Sequence, residues 1–323
     1  MALTTYIDAI REGMAEEMRR DPTVFVIGED VATYGGAFRA TAGFLEEFGE
    51  DRVIDTPISE SGIVGMAVGA AMNGLRPVAE MQFIDFLSCG FNQVVNMAAK
   101  ARYRWNAGVP LVIRGPCGGG VHGGPFHSQN PESHYVTPGL KIVEPATAYD
   151  AKGLIKAAIR DPDPVLYFEH KFLYRRIKEE LPEADYVVPI GKACVRREGE
   201  DLSVVTYGAC VHTALEVAET LATEGVSVEV VDLRTLYPVD REALLETARR
   251  TNKVVLYHEA QRTGGIGAEL SAILAEECFE HLDGPLVRIT APDTPVPYAP
   301  PLEAAFLPGA GALLEAARRL ARY

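Results

Sequence analysis

The sequence predicts an α/β protein of two doubly wound α/β/α domains, and three observations carry that prediction. The chain has 323 residues, more than one hydrophobic core ordinarily serves. Short apolar runs of strand length alternate with segments of helical period, the pattern of parallel sheets covered on both faces. The alternation is interrupted by the acidic, proline-bounded, aperiodic tract Glu179–Pro189 and then restarts. The expected domains are residues 1–180 and 196–323, joined by a linker at 181–195.

Residues 5–20 place apolar side chains at helical spacing and stop at Asp21-Pro22. Val24–Ile27 reads as a buried strand ending at Gly28-Glu29-Asp30, and Arg52–Asp55 as the next, ending at Thr56–Glu60. The Gly/Ala-rich apolar segment Ile63–Met72 is too short to cross a membrane and reads as a core helix. Its Gly65 and Gly69 leave one face open to close approach by another backbone. Strands follow at Pro77–Phe83, Pro110–Ile113, Lys141–Val143 and Val165–Phe168, with helices at 90–103 and 148–160. In the second domain, strands at 202–207, 226–232, 253–258 and 286–290 alternate with helices at 212–224, 240–250 and 267–281. A Pro-rich loop, Asp293–Pro308, precedes a final helix from Ala310.

Composition excludes several function classes. Net charge is −14, from 31 basic and 45 acidic side chains, so neither nucleic acid nor an anionic membrane is the expected partner. The basic, aromatic clusters Lys100–Trp105 and Lys171–Lys178 then read as subunit contacts or solvated faces. Five scattered cysteines, without a Cys-x-x-Cys pair, suit a reduced protein. No signal peptide or membrane span is expected, and the expected address is the cytoplasm.

Gly118-Gly119-Gly120-Val121-His122-Gly123 fits G-x-G-x-x-G after a strand, with Glu144 placed like a ribose-binding acid. The fingerprint needs a helix opening inside the motif, and Pro125, Pro131 and Pro138 interrupt the chain instead. A flexible Gly-rich loop is the better reading. Its His122, His127, Ser128, Gln129, Glu132 and His134 match no common metal spacing, and a histidine there could serve as a proton donor. Glu60 is the sharper signal. It stands between a strand's carboxyl end and an almost wholly apolar helix, where open α/β sheets place ligands. It is either a carboxylate favoured by the helix dipole or a functional acid part-buried at an interface, with its pKa raised. The Arg160–Pro164 turn is a plain connection or a cation-binding loop.

Taken together, GED (28–30), DTPISESGIVGMAVGAAMNGLRPVAE (55–80), HSQNPE (127–132), PGLKIV (138–143), DAKGLIKAAIRDPDPV (150–165) and VVDLRTLYP (230–238) form a pattern. It resembles the β subunit of the 2-oxo acid dehydrogenase first component, pyruvate and branched-chain type, over essentially the full length. The resemblance implies a pyrimidine-binding domain followed by a transketolase C-terminal-like domain. It implies oxidative decarboxylation with acyl transfer to lipoamide, using thiamine diphosphate as electron sink. Glu60 matches the family glutamate that hydrogen-bonds the aminopyrimidine and favours its imino tautomer. Phe86 matches an aromatic packed on that ring, with Ile58 beside it in the same motif. Glu29 matches a carboxylate joining paired active sites, and His127 the loop histidine of lipoyl acylation. Leu111, Ala158, Ile159, Asp161 and Asp163 match a potassium site. An acetoin-cleaving complex and a non-catalytic assembly subunit share the architecture, although retention of Glu60 and His127 argues against the latter.

No Gly-Asp-Gly motif occurs in the chain, so the resemblance implies that magnesium and the diphosphate are held by an α subunit, in an α2β2 heterotetramer. It also implies docking to a lipoyl-bearing dihydrolipoyl acyltransferase core.

Overall fold

A computed structural model of the chain describes residues 3–323. The chain divides into two compact units: one runs to Cys117 and resumes over His134–Ile190; the other comprises Gly118–Ser133 and Gly191–Tyr323.

The first unit contains β1 (Thr4–Thr5), α1 (Tyr6–Arg20), β2 (Val24–Gly28), α2 (Phe44–Phe48), β3 (Val53–Asp55) and α3 (Glu60–Met72). It continues with β4 (Arg76–Glu80), α4 (Ala99–Trp105), β5 (Val112–Cys117), β6 (Lys141–Val143), α5 (Ala148–Arg160), β7 (Val165–His170) and β8 (Lys178–Glu179). Its main strands lie parallel in the order β6-β7-β5-β4-β2-β3. Every residue of β2, β5 and β7 is buried, which explains the apolar runs Val24–Gly28 and Val165–Phe168, although β5 also carries Arg114 and β7 Glu169. Helix α1 starts where the Thr5 hydroxyl accepts the Asp8 N–H at 3.2 Å, and it packs along α5. A Cβ on Gly13 would lie 2.5 Å from Ile155 Cγ2, so this crossing requires glycine.

The second unit contains β9 (Cys194–Arg197), β10 (Leu202–Thr206), α6 (Cys210–Ala222), β11 (Val228–Asp232), β12 (Thr235–Tyr237) and α7 (Arg241–Thr251). Then come β13 (Val254–Gln261), α8 (Ile266–Glu277), β14 (Val287–Ala291), α9 (Pro300–Phe306) and α10 (Ala310–Ala321). Its sheet order is β14-β13-β10-β11-β9, parallel except at the antiparallel edge strand β9. Val204, Val230, Tyr257, Leu313 and Leu320 belong to its core.

Three expectations need correction. The tract expected as a linker is packed structure through Ile190. Glu179 pairs with Thr4, Asp185 binds Lys156 and Arg160, Tyr186 stacks on Tyr149 at 4.4 Å, and the Val188 N–H donates to Gly153 O. Asp185 meets cations on α5, and Glu179 accepts the Tyr149 N–H at its start. The strand expected to reach Phe83 stops at Glu80 and turns into a 3-10 segment, Ile84–Gly90. The helix expected over 90–103 is present: residues 91–105 are continuously helical, with a π-helical turn, Gln93–Ala98, leading into α4. The Pro-rich loop contains α9, whose prolines occupy the first turn, where no N–H partner is lost.

Candidate active site

Two groups of the candidate residues form, one in each unit. In the first unit, β2 and β3 pair in parallel and end together. The Thr56 N–H donates to Gly28 O at 2.9 Å and the Ala32 N–H to Asp55 Oδ1 at 2.7 Å. Glu29 follows β2 directly and is buried, while Glu60 opens α3 and is half-buried. Burial raises the Glu29 pKa, and the neighbouring charges of Glu60 and Asp30 raise it further. A buried carboxyl whose ionisation is opposed by neighbouring charge is suited to holding and passing a proton.

The 3-10 segment Ile84–Gly90 packs against the start of α3, where a Cβ on Gly90 would meet Val64 Cγ2 at 3.1 Å. It carries Phe86, half-buried, whose ring meets Phe83 edge-on at 6.0 Å; Phe83 meets Phe38 at 5.5 Å. Ile58 is 83% exposed. So are several residues of α3 and its exit: Met66 at 60%, Met72 at 43% and Leu75 at 41%. A Cβ on Gly69 would meet nothing within 4 Å. Met66, Gly69 and Met72, three apart, fall on one face of α3, a bare apolar surface on the helix that Glu60 opens.

Beneath the carboxyl ends of the strands lies a charged group that the sequence reading missed. Arg114 on β5 donates through Nη1 to Glu80 on β4 and through Nε and Nη2 to Glu169 on β7. The Tyr174 hydroxyl completes Glu169 at 2.7 Å. The three charged side chains are at most 5% exposed. Burial raises the Glu80 pKa, an effect that Arg114 counters and the Glu169 charge reinforces. A charged residue inside each of three otherwise apolar strands was the available signal.

In the second unit, the Gly-rich loop Gly118–Ser133 forms only a 3-10 turn at Gly124–Phe126 and the start of another at Glu132–Tyr135. His127 follows that turn and is half-buried; its N–H donates to Gly124 O. The loop lies on acidic groups of its own unit. Glu259 accepts the Gly119 N–H at 2.5 Å and Asn130 Nδ2 at 2.9 Å. Glu303 accepts N–H groups of Gly120 and His122, and the Tyr207 hydroxyl donates to Glu132. Burial, with a contribution from the Glu259 charge, raises the Glu132 carboxyl to about 7. A Cβ on Gly124 (φ +66°) would lie 2.3 Å from the Tyr298 ring, so glycine is required there.

The residues expected to bind potassium do converge, at the C-terminal end of α5, but their oxygens are already engaged. Leu111 O accepts the Val165 N–H at 2.9 Å and Ala158 O the Asp161 N–H at 3.2 Å. The Arg76 guanidinium donates to Ile159 O at 2.7 Å and Asp161 O at 3.2 Å. Lys141 Nζ binds both Asp161 carboxylate oxygens at 2.6 Å, and Arg102 binds Asp163 at 2.5 Å. A further cation about 4 Å from Arg76 would meet roughly 4 kcal/mol of repulsion near a protein surface. Protein cations thus stand beside the oxygens of Ile159, Asp161 and Asp163, whereas Leu111 O and Ala158 O meet only backbone N–H groups. Elsewhere among the described residues, no group of three or more His, Cys, Asp or Glu is arranged to hold a metal.

Residues 3–176 match the family described as "Transketolase, pyrimidine binding domain", and residues 191–313 the "Transketolase, C-terminal domain". The chain is 54% identical over 327 residues to the 2-oxoisovalerate dehydrogenase subunit beta of Bacillus subtilis (strain 168), covering 100% of both. It is 44% identical over 328 residues to the pyruvate dehydrogenase E1 component subunit beta of the same organism, again covering 100% of both. A solved split-gene transketolase, described as an inactive beta4 tetramer, superposes with a TM-score of 0.81 over 99% of each chain. At 23% identity that likeness speaks for the fold alone.

Proposed function

The chain belongs to the β-subunit family of 2-oxo acid dehydrogenases, built from transketolase pyrimidine-binding and C-terminal domains, and on that premise we propose that it contributes the proton-handling half of a shared thiamine-diphosphate site. The supporting observation is the pair Glu29 and Glu60, at the carboxyl ends of paired strands beside the exposed apolar face of α3. When bound, thiamine diphosphate supplies the electron sink for loss of carbon dioxide from the 2-oxo acid.

Glu60 holds or releases a proton at its carboxyl oxygen toward the pyrimidine ring. Glu29 is the adjacent proton reserve, because burial favours its protonated form. Phe86 covers a ring face and limits water. His127 offers a proton donor on its loop during acyl transfer to a lipoyl group. Magnesium and the diphosphate are assigned to an α partner, since the sequence holds no Gly-Asp-Gly motif. The bare face of α3 suits such an interface, and the proposed assembly is α2β2 docked to a dihydrolipoyl acyltransferase core. A cytoplasmic address accords with five free cysteines and with no described helix being long and apolar enough to span a membrane. Of the two substrate types, branched-chain 2-oxo acids take precedence over pyruvate, following the 54% and 44% identities.

The test is reconstitution with an α chain that carries Gly-Asp-Gly. The isolated chain should bind the cofactor poorly and turn over neither 2-oxoisovalerate nor pyruvate, whereas the assembled complex should do both. Glu60→Ala should lower turnover by about 10²-fold or more with assembly intact by size exclusion. Full activity in the isolated chain would sink the shared-site reading.

A further inference from the structure

The Gly-rich loop has the backbone of an anion-binding nest, and the anions it binds are the protein's own carboxylates. Positive φ values at Gly118 (82°), Gly120 (79°) and His122 (62°) alternate with residues of ordinary φ. That alternation turns successive N–H groups toward a common side, a geometry that collects negative charge. Glu303 occupies the concavity. Its carboxylate accepts the Gly120 N–H at 3.0 Å, the His122 N–H at 3.1 Å and the His122 Nδ1 at 2.6 Å, and its side chain is 1% exposed. Glu259 accepts the Gly119 N–H beside it and the Asn130 side chain beyond His127. A Cβ on Gly119 would lie 3.2 Å from Glu259 and 3.4 Å from Glu303, so the triple glycine admits both acids.

We propose that Glu303 and Glu259 are positioning residues, a two-carboxylate clamp that fixes the loop bearing His127 from both sides. Glu303 fastens the stretch before the histidine; Glu259 ties that stretch to Asn130 after it. Neither acid need touch substrate. A charged acceptor on several loop amides restricts the segment to one conformation, as an effective proton donor requires. The functional part rests on the reading of His127 as the histidine of acyl transfer; the clamp itself rests on the hydrogen bonds.

Two measurements on the reconstituted complex separate these parts. Amide hydrogen exchange at Gly119, Gly120 and His122 reads the clamp, and kcat for acylation of a lipoyl domain reads its consequence. Glu303→Ala should raise exchange at Gly120 and His122 by roughly 10-fold or more and lower acylation kcat by a similar factor. Decarboxylation with an artificial electron acceptor, and KM for the 2-oxo acid, should move far less. Glu303→Gln, which keeps one acceptor oxygen, should recover part of both losses, a rescue not expected of a residue that merely fills space. Unchanged exchange in Glu303→Ala overturns the clamp. Raised exchange with wild-type acylation overturns the positioning role, provided His127→Ala is itself defective in acylation. A harmless His127→Ala would instead overturn the assignment of the histidine, leaving exchange to decide the clamp.

Discussion

Replacing Arg114 by methionine removes the cation from between Glu80 and Glu169 while nearly preserving apolar volume. In the native unit Arg114 donates to both carboxylates, with its side chain 2% exposed and those of Glu80 and Glu169 5% and 0% exposed. Without it, two carboxylates share a dry site in which the Tyr174 hydroxyl still donates to Glu169. Removing one partner of a buried ion pair costs about 3–5 kcal/mol, because the remaining charge stays buried and uncompensated. At about 2–4 °C per kcal/mol for a unit of this size, the first melting transition should fall by roughly 6–20 °C at pH 8. The two units need not melt together, so calorimetry with both transitions resolved is the appropriate assay.

The pH dependence carries a sign. Glu80 already has a raised folded-state pKa through burial, and losing Arg114 raises it further. Such a group contributes stability below its unfolded pKa, near 4.3, that is lost as pH rises through the folded value. The deficit of the variant should therefore shrink between pH 8 and pH 5. Adding Glu80→Gln and Glu169→Gln should recover part of it at pH 8. A deficit under about 2 °C, or one of equal size at both pH values, would refute the account of these charges as a mutually dependent group.

Two further outcomes follow from the same electrostatics. Because Arg76 and Lys141 occupy the oxygens at the end of α5, melting of the wild type should be the same in potassium chloride and choline chloride at equal ionic strength. Arg76→Met should cost about 1–3 kcal/mol by stripping donors from Ile159 and Asp161, and potassium-selective stabilisation of the wild type would refute the assignment. Glu132, raised to about 7 mainly by burial, should make wild-type stability fall as pH rises from the ordinary glutamate value toward about 7. Glu132→Gln should abolish that slope in melting curves between pH 5 and pH 8, and an unchanged slope would assign it to another group.

The linear pattern of side chains determined a good deal by itself. The apolar runs 24–27, 110–113 and 165–168 announced parallel strands buried on both faces, because only such strands need no polar alternation. Glu60 stood out as a candidate because an acid before so apolar a helix is locally anomalous. Its pairing with Glu29 was not legible, since it arises from the parallel register of β2 and β3. The tract around Asp185 looked like a linker because aperiodic acidic sequence has no local partner; its partners Lys156 and Arg160 lie on α5. Arg76 shows the same limit: the Arg160–Pro164 turn reads locally as a connection or a cation loop, and only the fold brings the Arg76 guanidinium from β4 to Ile159 O and Asp161 O.

The Gly-rich motif shows where the division falls. Sequence rightly marked Gly118–Gly123 as a backbone with unusual freedom and excluded a helix beyond it. Only the tertiary structure decided which anions that backbone meets, because Glu259 and Glu303 lie far along the chain on β13 and α9. Local preference sets what a segment can bind; the chain's path through space sets what it does bind.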